Sequence, residues 1–182
     1  MSEERVPTLL LTGTIGSGKT AVAVEMGPLL EERGLPTALV DLDWLGWVHL
    51  GPAFHGVDGL IAENLAAVWP NLRAAGARRL VLVRALRRRE ALDGLRRALP
   101  EADFTVVRLV SSRGTVEERL RRRDAGATLL EHLGETARMA EAMDRAALED
   151  FQVENDGRPV SEIALETLRR AGWLPGNGPP PG

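Results

Sequence analysis

The sequence predicts an α/β protein with a parallel β-sheet covered by helices on both faces. Short apolar segments alternate with longer helical segments along the chain, which is the order that βαβ units produce. Several apolar segments show no polar alternation, as is typical of strands buried on both faces. The 182 residues suffice for one domain with a full core, and no internal repeat or linker divides them.

The predicted strands are short apolar runs. The first, VPTLLLT, is closed by a glycine, and the third, RLVLVR, is closed by an arginine. The second runs into two aspartates, the fourth ends at a serine pair, and the fifth is a short run before an Asn-Asp-Gly turn. The five predicted strands are residues 6–12, 37–41, 79–84, 104–110 and 151–154.

The predicted helices lie between these strands and end at glycine or proline signals. Gly27-Pro28 should kink or split the first of them. A glycine-rich segment, residues 43–59, predicts an irregular loop after the second strand. The six predicted helices are residues 18–33, 60–75, 90–99, 115–123, 128–149 and 161–171.

Composition excludes several classes of protein. The chain has no cysteine, which excludes disulfide scaffolds, Cys-ligated zinc and thiol nucleophiles, and three histidines make a His-rich metal cluster unexpected. The net charge of −3 argues against a protein built to bind nucleic acid. No apolar run is long enough to span a membrane, and the first residues do not resemble a signal peptide. We therefore expect a cytoplasmic protein, monomeric or homodimeric, with no membrane or nucleic-acid partner.

Residues 13–20, GTIGSGKT, match the pattern G-x-x-x-x-G-K-[ST] between a buried strand and a helix. Gly13, Gly16 and Gly18 would let the backbone N–H groups, that of Ser17 included, surround a phosphate at a helix N-terminus. Lys19 would reach the β- and γ-phosphates, and Thr20 would bind Mg²⁺. Of 23 basic residues, Lys19 is the single lysine, at the position where this motif requires a primary amine.

With this motif in this setting, the sequence resembles the small P-loop kinases: shikimate, gluconate, adenylylsulfate and nucleoside monophosphate kinases, and chloramphenicol phosphotransferase. The resemblance implies a single-domain P-loop NTPase fold with a five-stranded parallel sheet in the order 2-3-1-4-5. It also implies Mg²⁺ and ATP as cofactors, and a mobile lid. We expect a kinase-like domain over residues 1–174 and a disordered Pro/Gly tail over residues 175–182.

Asp41 and Asp43 follow the second strand, where strand ends of an open parallel sheet line a binding crevice. In an extended chain residues two apart face the same side, so both carboxylates could face one acceptor. Asp41 is a candidate catalytic base or Mg²⁺ ligand, and Asp43 a candidate ligand of the acceptor hydroxyl. The alternative is that Asp43 caps a following turn or helix. The resemblance supports the first interpretation, since several of these kinases carry D-x-D here.

The third strand departs from the usual pattern, because many P-loop enzymes carry a metal-binding acid at the end of another strand. Here Arg84 ends that strand. Asp41 would then hold the metal, or catalysis would be impaired. Arg84 itself is a candidate ligand of an anionic or polar acceptor, with a surface arginine at a strand end as the equal alternative.

The loop after the acids is rich in aromatic residues. Trp44, Trp47, His49, Phe54 and His55 lie within twelve residues, in a chain with four tryptophans. We take Trp44 and Trp47 as candidate acceptor-binding residues; the alternative is that both pack under the following helix. Turn-like spacing along that helix suggests a far wall of the pocket made by Asn64, Trp69 and Arg73.

The segment EERLRRRD, residues 117–124, follows the fourth strand. Its ordinary interpretation is a solvated helix face with Glu–Arg pairs. The resemblance implies more: one arginine beside the adenine, which falls on Arg119, and another near the phosphates, which falls on Arg122 or Arg123. Residues 124–128 would be a short lid hinge.

The Asn-Asp-Gly turn before the last helix ends in Arg158 and Pro159, and Pro159 suits a first helical turn. By resemblance, both are candidate adenine contacts. We thus expect transfer of the γ-phosphoryl group of ATP to a hydroxyl of a small-molecule acceptor. The alternatives are a nucleotide-binding regulator or slow NTPase without such an acceptor, and an inactive kinase-fold subunit.

Overall fold

Five strands and seven helices make up the computed structural model, which describes residues 5–51 and 53–175. The predicted tail lies outside the described residues except for Pro175. The strands are β1 Val6–Thr12, β2 Thr37–Asp41, β3 Arg79–Val83, β4 Ala102–Val110 and β5 Phe151–Glu154. The helices are α1 Lys19–Glu31, α2 Leu42–Leu45, α3 Val57–Ala74, α4 Arg89–Ala98, α5 Arg113–Arg123, α6 Gly126–Ala146 and α7 Val160–Arg170.

All five strands are parallel and form one sheet in the order β2-β3-β1-β4-β5, which confirms the predicted fold. β1 is central, and its Leu10 lies beside Leu82 of β3 and Val106 of β4. Because the strands are parallel, their carboxyl ends meet at one edge. The loops that carry the predicted site residues leave the sheet at that edge.

The core has two layers because the central strands β1, β3 and β4 bury both faces. On β1, Leu9 and Leu11 pack with α1 and α7, while Leu10 packs with α3 and α4 on the other side. All three leucines are fully buried. Burying one such side chain contributes about 1.5–3 kcal/mol, so β1 is a rigid support for the loop that follows it.

The predicted split of the first helix at Gly27-Pro28 is wrong. α1 runs unbroken through Pro28, and the N–H of Glu32 donates to the carbonyl of Pro28 at 3.0 Å. The carbonyl that loses its donor to the proline ring belongs to Val24, whose side chain is exposed. Water can satisfy that carbonyl, so the helix tolerates the proline.

The prediction of an irregular loop over residues 43–59 is wrong at both ends. The single turn α2 begins at Leu42, with Asp41 as its N-cap, and α3 begins at Val57. Leu42 is fully buried and joins the core layer beneath α3. Over residues 5–51 and 53–175, no helix combines the length and apolar character needed to cross a membrane.

Candidate functional site

The glycine-rich loop of residues 13–20, called the P-loop below, joins β1 to α1. Gly13, Gly16 and Gly18 have φ values of +149°, +80° and +88°, a region that side chains rarely adopt. A Cβ on Gly13 would lie 2.7 Å from the carbonyl oxygen of Leu109, and one on Gly18 would lie 2.7 Å from Nδ2 of Asn155. Both glycines are therefore required by conformation and by space.

Ser17 takes part in the loop through its backbone. Its side chain is fully buried, and Oγ has no hydrogen-bond partner in the described part of the chain. The N–H of Ser17 donates to the carbonyl of Thr14 at 3.2 Å. Only this N–H can turn to a phosphate, since the buried hydroxyl cannot reach one.

Lys19 lies folded over the loop. Its Nζ donates to the carbonyls of Gly13 at 3.0 Å and Thr14 at 2.8 Å. Burial lowers the pKa of Lys19 to about 8, against the opposing effect of the Asp43 and Asp41 carboxylates. The amine is thus held in a place where its charge is poorly solvated, and a bound anion would restore that charge.

Thr20 and Asp41 are brought together by the fold. Oγ1 of Thr20 donates to Oδ2 of Asp41 at 3.0 Å, and Oδ1 of Asp41 accepts from the N–H of Asp43 at 3.1 Å. The expectation that the two acids share a face of an extended strand is wrong, because the chain turns into α2 at Leu42. Asp43 nevertheless faces the P-loop, since it lines the cavity beside Lys19.

Arg84 is paired with two carboxylates. It donates through Nη1 to Asp43 at 2.8 Å and through Nη2 to Asp58 at 2.6 Å, and its side chain is only 14% exposed. Arg88 donates through Nε to the other oxygen of Asp58 at 3.0 Å. The interpretation of Arg84 as a solvated surface arginine is therefore wrong.

Asp58, the carboxylate that Arg84 and Arg88 share, was not predicted from the sequence as a site residue. Burial would raise the pKa of Asp58, but the hydrogen bonds from Arg88 and Arg84 outweigh it and hold the pKa below its ordinary value. The sequence places it in the predicted loop of residues 43–59, whereas it lies in the first turn of α3, where the helix dipole alone would explain an acid. Its two arginine partners lie 26 and 30 residues away.

The prediction of a far wall of the acceptor pocket is wrong for two of its three residues. Trp69 is buried, and its Nε1 donates to Glu101 at 2.8 Å. Glu101 precedes β4, so this contact is at the amino end of the sheet. Arg73 lines a small cavity at the same end, with Val6 and Arg79. Asn64 alone stays near the site, where its Nδ2 donates to the carbonyl of Leu45 at 2.7 Å.

Trp44 and Trp47 do not pack under α3, which excludes the packing alternative. Their side chains are 69% and 63% exposed. The two rings stack on each other with centroids 4.8 Å apart. The loop therefore presents aromatic surface directly after Asp43.

Arg119 ties the P-loop to the end of β5. It donates through Nη1 to the carbonyl of Gly16 at 3.4 Å and to Ser111 Oγ at 3.2 Å, and through Nη2 to the carbonyl of Asn155 at 2.7 Å. Asn155 is buried, and its Nδ2 donates to the carbonyl of Ser17 at 2.7 Å. Asn155 was likewise not predicted from the sequence as a site residue, because the Asp-Gly turn that follows is enough to explain an asparagine there.

Arg123 lies at the start of the predicted hinge. It donates through Nε and Nη2 to Asp124 at 2.9 and 3.0 Å, and His132 Nδ1 lies 2.7 Å from the same carboxylate. Hydrogen bonds from Arg123 and then His132 lower the pKa of Asp124 to about 2. The neighbouring arginines Arg121 and Arg122 pair with Glu117 and Glu118 along α5, as a solvated helix face would.

Arg158 and Pro159 are placed by α7. Nη2 of Arg158 lies 2.8 Å from Glu166, and Nη1 donates to the carbonyl of Glu154 at 3.2 Å. Pro159 is the N-cap of α7 rather than part of its first turn. Their contact with adenine stays a prediction.

One cavity of about 370 Å³ collects most of these groups. Lys19, Thr20, Asp43, Arg119 and Arg123 all line it. The cavity therefore brings together the P-loop, one carboxylate and two arginines, a set of groups that could hold and transfer a phosphoryl group.

A Mg²⁺ ion would find its protein ligands in Thr20 and Asp41. A hydroxyl and a carboxylate within hydrogen-bond distance are oxygen donors of the kind that Mg²⁺ prefers, and it takes its remaining ligands from phosphates and water. Within the described residues no group of three or more acidic or histidine side chains could hold a metal alone. The donor set thus fits a metal that arrives with a nucleotide.

Comparison with known proteins shows the fold. No protein-family model matches the chain, and no curated protein matches it significantly. The tunicamycin resistance protein of Deinococcus radiodurans is 18% identical with a TM-score of 0.65, over 93% of this chain and 98% of that one. A gluconokinase from Sinorhizobium meliloti is 22% identical with a TM-score of 0.62, over 92% and 93%.

The APS kinase of Mycobacterium tuberculosis, solved with AMPPNP and APS, is 24% identical with a TM-score of 0.58. The match covers 90% of this chain and 96% of that one. The chain therefore has the fold of small P-loop kinases, as the resemblance implied.

Proposed function

We propose that this protein is an ATP-dependent phosphotransferase that moves the γ-phosphoryl group to a hydroxyl of a small-molecule acceptor. The observation that carries the proposal is the contact between Thr20 and Asp41 at 3.0 Å. It joins the P-loop to the end of β2, so that a nucleotide phosphate and an acceptor hydroxyl can meet within one cavity. The fold shared with gluconokinase and APS kinase supports the same activity.

The P-loop would bind the phosphates of ATP. Backbone N–H groups of Gly16, Ser17 and Gly18 would surround them, with the N-terminus of α1 behind. Lys19 would exchange its two carbonyl partners for β- and γ-phosphate oxygens. Arg119 lies between the loop and Asn155, where its guanidinium can stack on the adenine ring.

Thr20 and Asp41 would hold Mg²⁺. When bound, the ion neutralises charge on the phosphate oxygens. The two oxygens of Asp41 are already engaged by Thr20 and by the N–H of Asp43, which favours metal binding over proton transfer. We therefore assign Asp41 the second of the two roles that the sequence left open, that of a Mg²⁺ ligand.

Asp43 is then the better proton acceptor. Its side chain is 60% exposed, and among residues 5–51 and 53–175 only its Oδ1 accepts a side-chain hydrogen bond, from Arg84. The acceptor oxygen would form a bond to the γ-phosphorus while the bond from that phosphorus to the β,γ-bridging oxygen breaks. The hydroxyl proton would pass to Asp43, and ADP would leave with the bridging oxygen. Arg123 would stabilise the charge that develops on the transferred group.

The test is ADP release from Mg·ATP across a panel of hydroxyl-bearing acceptors, with mass spectrometry of the product. We expect one class of acceptor to raise ADP release and to gain a phosphoryl group. Asp43→Asn should reduce that rate at least about 10²-fold, while Asp103→Asn, an exposed acid at the start of β4, should not change it. ADP release that no acceptor stimulates, with ATP still bound, would favour a regulator or slow NTPase.

A further inference from the structure

Trp44 and Trp47 form an exposed aromatic surface, called the tryptophan platform below. The ring planes lie 26° apart, and the platform is lengthened by the bond from Trp47 Nε1 to His49 Nε2 at 3.3 Å. Two of the four tryptophans in the chain are thus turned to solvent at one place. Such a patch beside a cavity is a mark of a binding surface.

Neighbouring residues fix the backbone of the tryptophan platform so that its side chains point to solvent. Leu42 is fully buried beneath it, and Asn64 Nδ2 binds the carbonyl of Leu45 at 2.7 Å. A Cβ on Gly46 would lie 2.6 Å from Cδ1 of Ile61, so the backbone of the loop presses directly on α3. Other residues therefore occupy the positions of this turn that face the core, and the indoles of Trp44 and Trp47 lie on the solvent side.

The platform adjoins the reacting groups. Trp44 follows Asp43 directly, and consecutive Cα atoms lie about 3.8 Å apart. Asp43 lines the cavity that also holds Lys19 and Arg123. Asp43 and Trp44 are consecutive residues of the helical turn α2, so their side chains leave it about 100° apart. A molecule whose hydroxyl lies at Asp43 would therefore have to extend out of the cavity to meet the indole of Trp44.

Three arginines in the segment after β3, Arg84, Arg87 and Arg88, are paired with carboxylates. Arg84 is bound by Asp43 and Asp58, and Arg88 is bound by Asp58, so the four groups together carry no net charge. Arg87 lies 3.0 Å from Glu135 of α6. An anionic acceptor would have to displace a carboxylate from one of these pairs, whereas a neutral one would not.

We propose that the acceptor is a neutral molecule with a flat, largely aromatic body that stacks on the tryptophan platform while its hydroxyl lies at Asp43. This inference rests on the proposed function, because the hydroxyl is placed by the phosphoryl-transfer step. It excludes small sugar acids as the preferred substrates, since these offer a negative charge and no aromatic face.

The test compares three compounds of one shape by calorimetry, with the protein held in Mg²⁺ and a non-hydrolysable ATP analogue. They are naphthalene-2-methanol, its saturated counterpart decahydronaphthalene-2-methanol, and the anionic 6-(hydroxymethyl)naphthalene-2-carboxylate. We expect the neutral aromatic compound to bind about 3- to 10-fold more tightly than either of the others, as aromatic stacking contributes. Equal affinities, or no binding of the first compound, overturn the inference.

Variants of the platform provide the second arm. Trp44→Ala and Trp47→Ala should each weaken binding of naphthalene-2-methanol about 3- to 10-fold, and Trp44→Phe and Trp47→Phe should restore most of it. Val24→Ala removes an equally exposed apolar side chain from α1 and should change nothing. Thermal unfolding of each variant checks that the loop is still folded. Unchanged binding in a folded Trp44→Ala/Trp47→Ala double variant overturns the inference.

Turnover separates this inference from the proposed function. If sugar acids are phosphorylated and the double variant keeps its kcat/KM, the phosphotransferase stands and the aromatic acceptor is refuted. If the neutral aromatic compound binds as expected but no compound in the wider panel is phosphorylated, the proposed function fails and the aromatic binding surface stands.

Discussion

The hydroxyl of Thr20 donates a hydrogen bond to the carboxylate of Asp41 over 3.0 Å, across 21 positions of sequence. Thr20 is in the first turn of α1, and Asp41 is the last residue of β2. β2 is separated from β1 by β3 in the sheet, so only the folded sheet brings the two together. This bond joins the P-loop to the residues that follow β2.

The first prediction concerns Mg²⁺ at this contact. Asp41→Asn keeps one oxygen, which can accept from the N–H of Asp43, and its amide NH2 can donate to the hydroxyl of Thr20, but it removes the negative charge. We expect the Mg²⁺ concentration for half-maximal ADP release to rise about 10- to 100-fold, with little loss of stability. Titration of Mg²⁺ at saturating ATP measures this.

Asp103→Asn is the matched control for this change, because Asp103 is an exposed acid at the opposite end of the sheet. Its Mg²⁺ dependence should equal that of the unaltered protein. A Mg²⁺ titration of Asp41→Asn that overlays the control would refute the assignment of Asp41 as a metal ligand.

The second prediction follows from Lys19. Because burial lowers its pKa to about 8, roughly half of the amines are neutral at pH 8 in the free protein. Nucleotide phosphates favour the charged form, so binding of ADP should take up about half a proton at pH 8, where the phosphates of ADP are themselves ionised. Calorimetry in two buffers with different ionisation enthalpies measures the protons taken up.

Lys19→Arg is the control for proton uptake, since arginine stays charged throughout this range. Its binding of ADP should be independent of the buffer at pH 8. Uptake of the same size in Lys19→Arg, or none in the unaltered protein, would contradict the prediction. Lys19 is the single lysine, so another lysine cannot produce the signal.

The third prediction compares two glycines. Gly13→Ala should lower the free energy of unfolding by at least about 2 kcal/mol, because φ is +149° and the new Cβ would meet Leu109 O at 2.7 Å. Gly134→Ala lies within α6 with nothing within 4 Å of the new Cβ, and should raise that free energy by about 0.5–1 kcal/mol. Urea unfolding measures both, and a shift of the same sign in the two variants would be inconsistent with this account.

The fourth prediction concerns Arg84, which links α2 to α3 through Asp43 and Asp58. Arg84→Met should lower the free energy of unfolding by about 1–3 kcal/mol, because it leaves a partly buried carboxylate with one partner fewer. Arg88→Met should cost less than about 1 kcal/mol, since Arg88 is 62% exposed. Urea unfolding at pH 7 measures the difference, and equal losses would argue against a linking role for Arg84.

The fall in the free energy of unfolding at acid pH tests the same network of Arg84, Asp58 and Arg88. The pKa of Asp58 is held below its unfolded value, so its contribution is fully present above that unfolded value and is lost as the pH falls through the folded one. Arg84→Met should make this loss smaller, because one of the two hydrogen bonds that lower the pKa is gone. An unchanged slope below pH 4 would show that Arg88 alone perturbs Asp58.

Elements set by local pattern were predicted well. β5 has the predicted bounds, and β1 and the P-loop fall where the apolar run and the glycines place them. The short α2 was missed because its cap, Asp41, also ends a strand, and because four residues carry no helical period. The prediction at Pro28 failed for a related reason. Whether a proline interrupts a helix depends on which carbonyl loses its donor, and here that carbonyl belongs to Val24, an exposed residue.

The sequence by itself determined the parallel sheet, the phosphate-binding loop and the presence of acids and aromatic residues after β2. These follow from hydrophobic period, glycine conformation and residue order, which are local properties of the chain. Only the tertiary structure decided that Arg84 binds Asp43 and Asp58, that Asn155 supports the P-loop, and that Trp44 and Trp47 face solvent. Each of these depends on neighbours tens of residues away, because burial and ion pairing are properties of the packed molecule rather than of a segment.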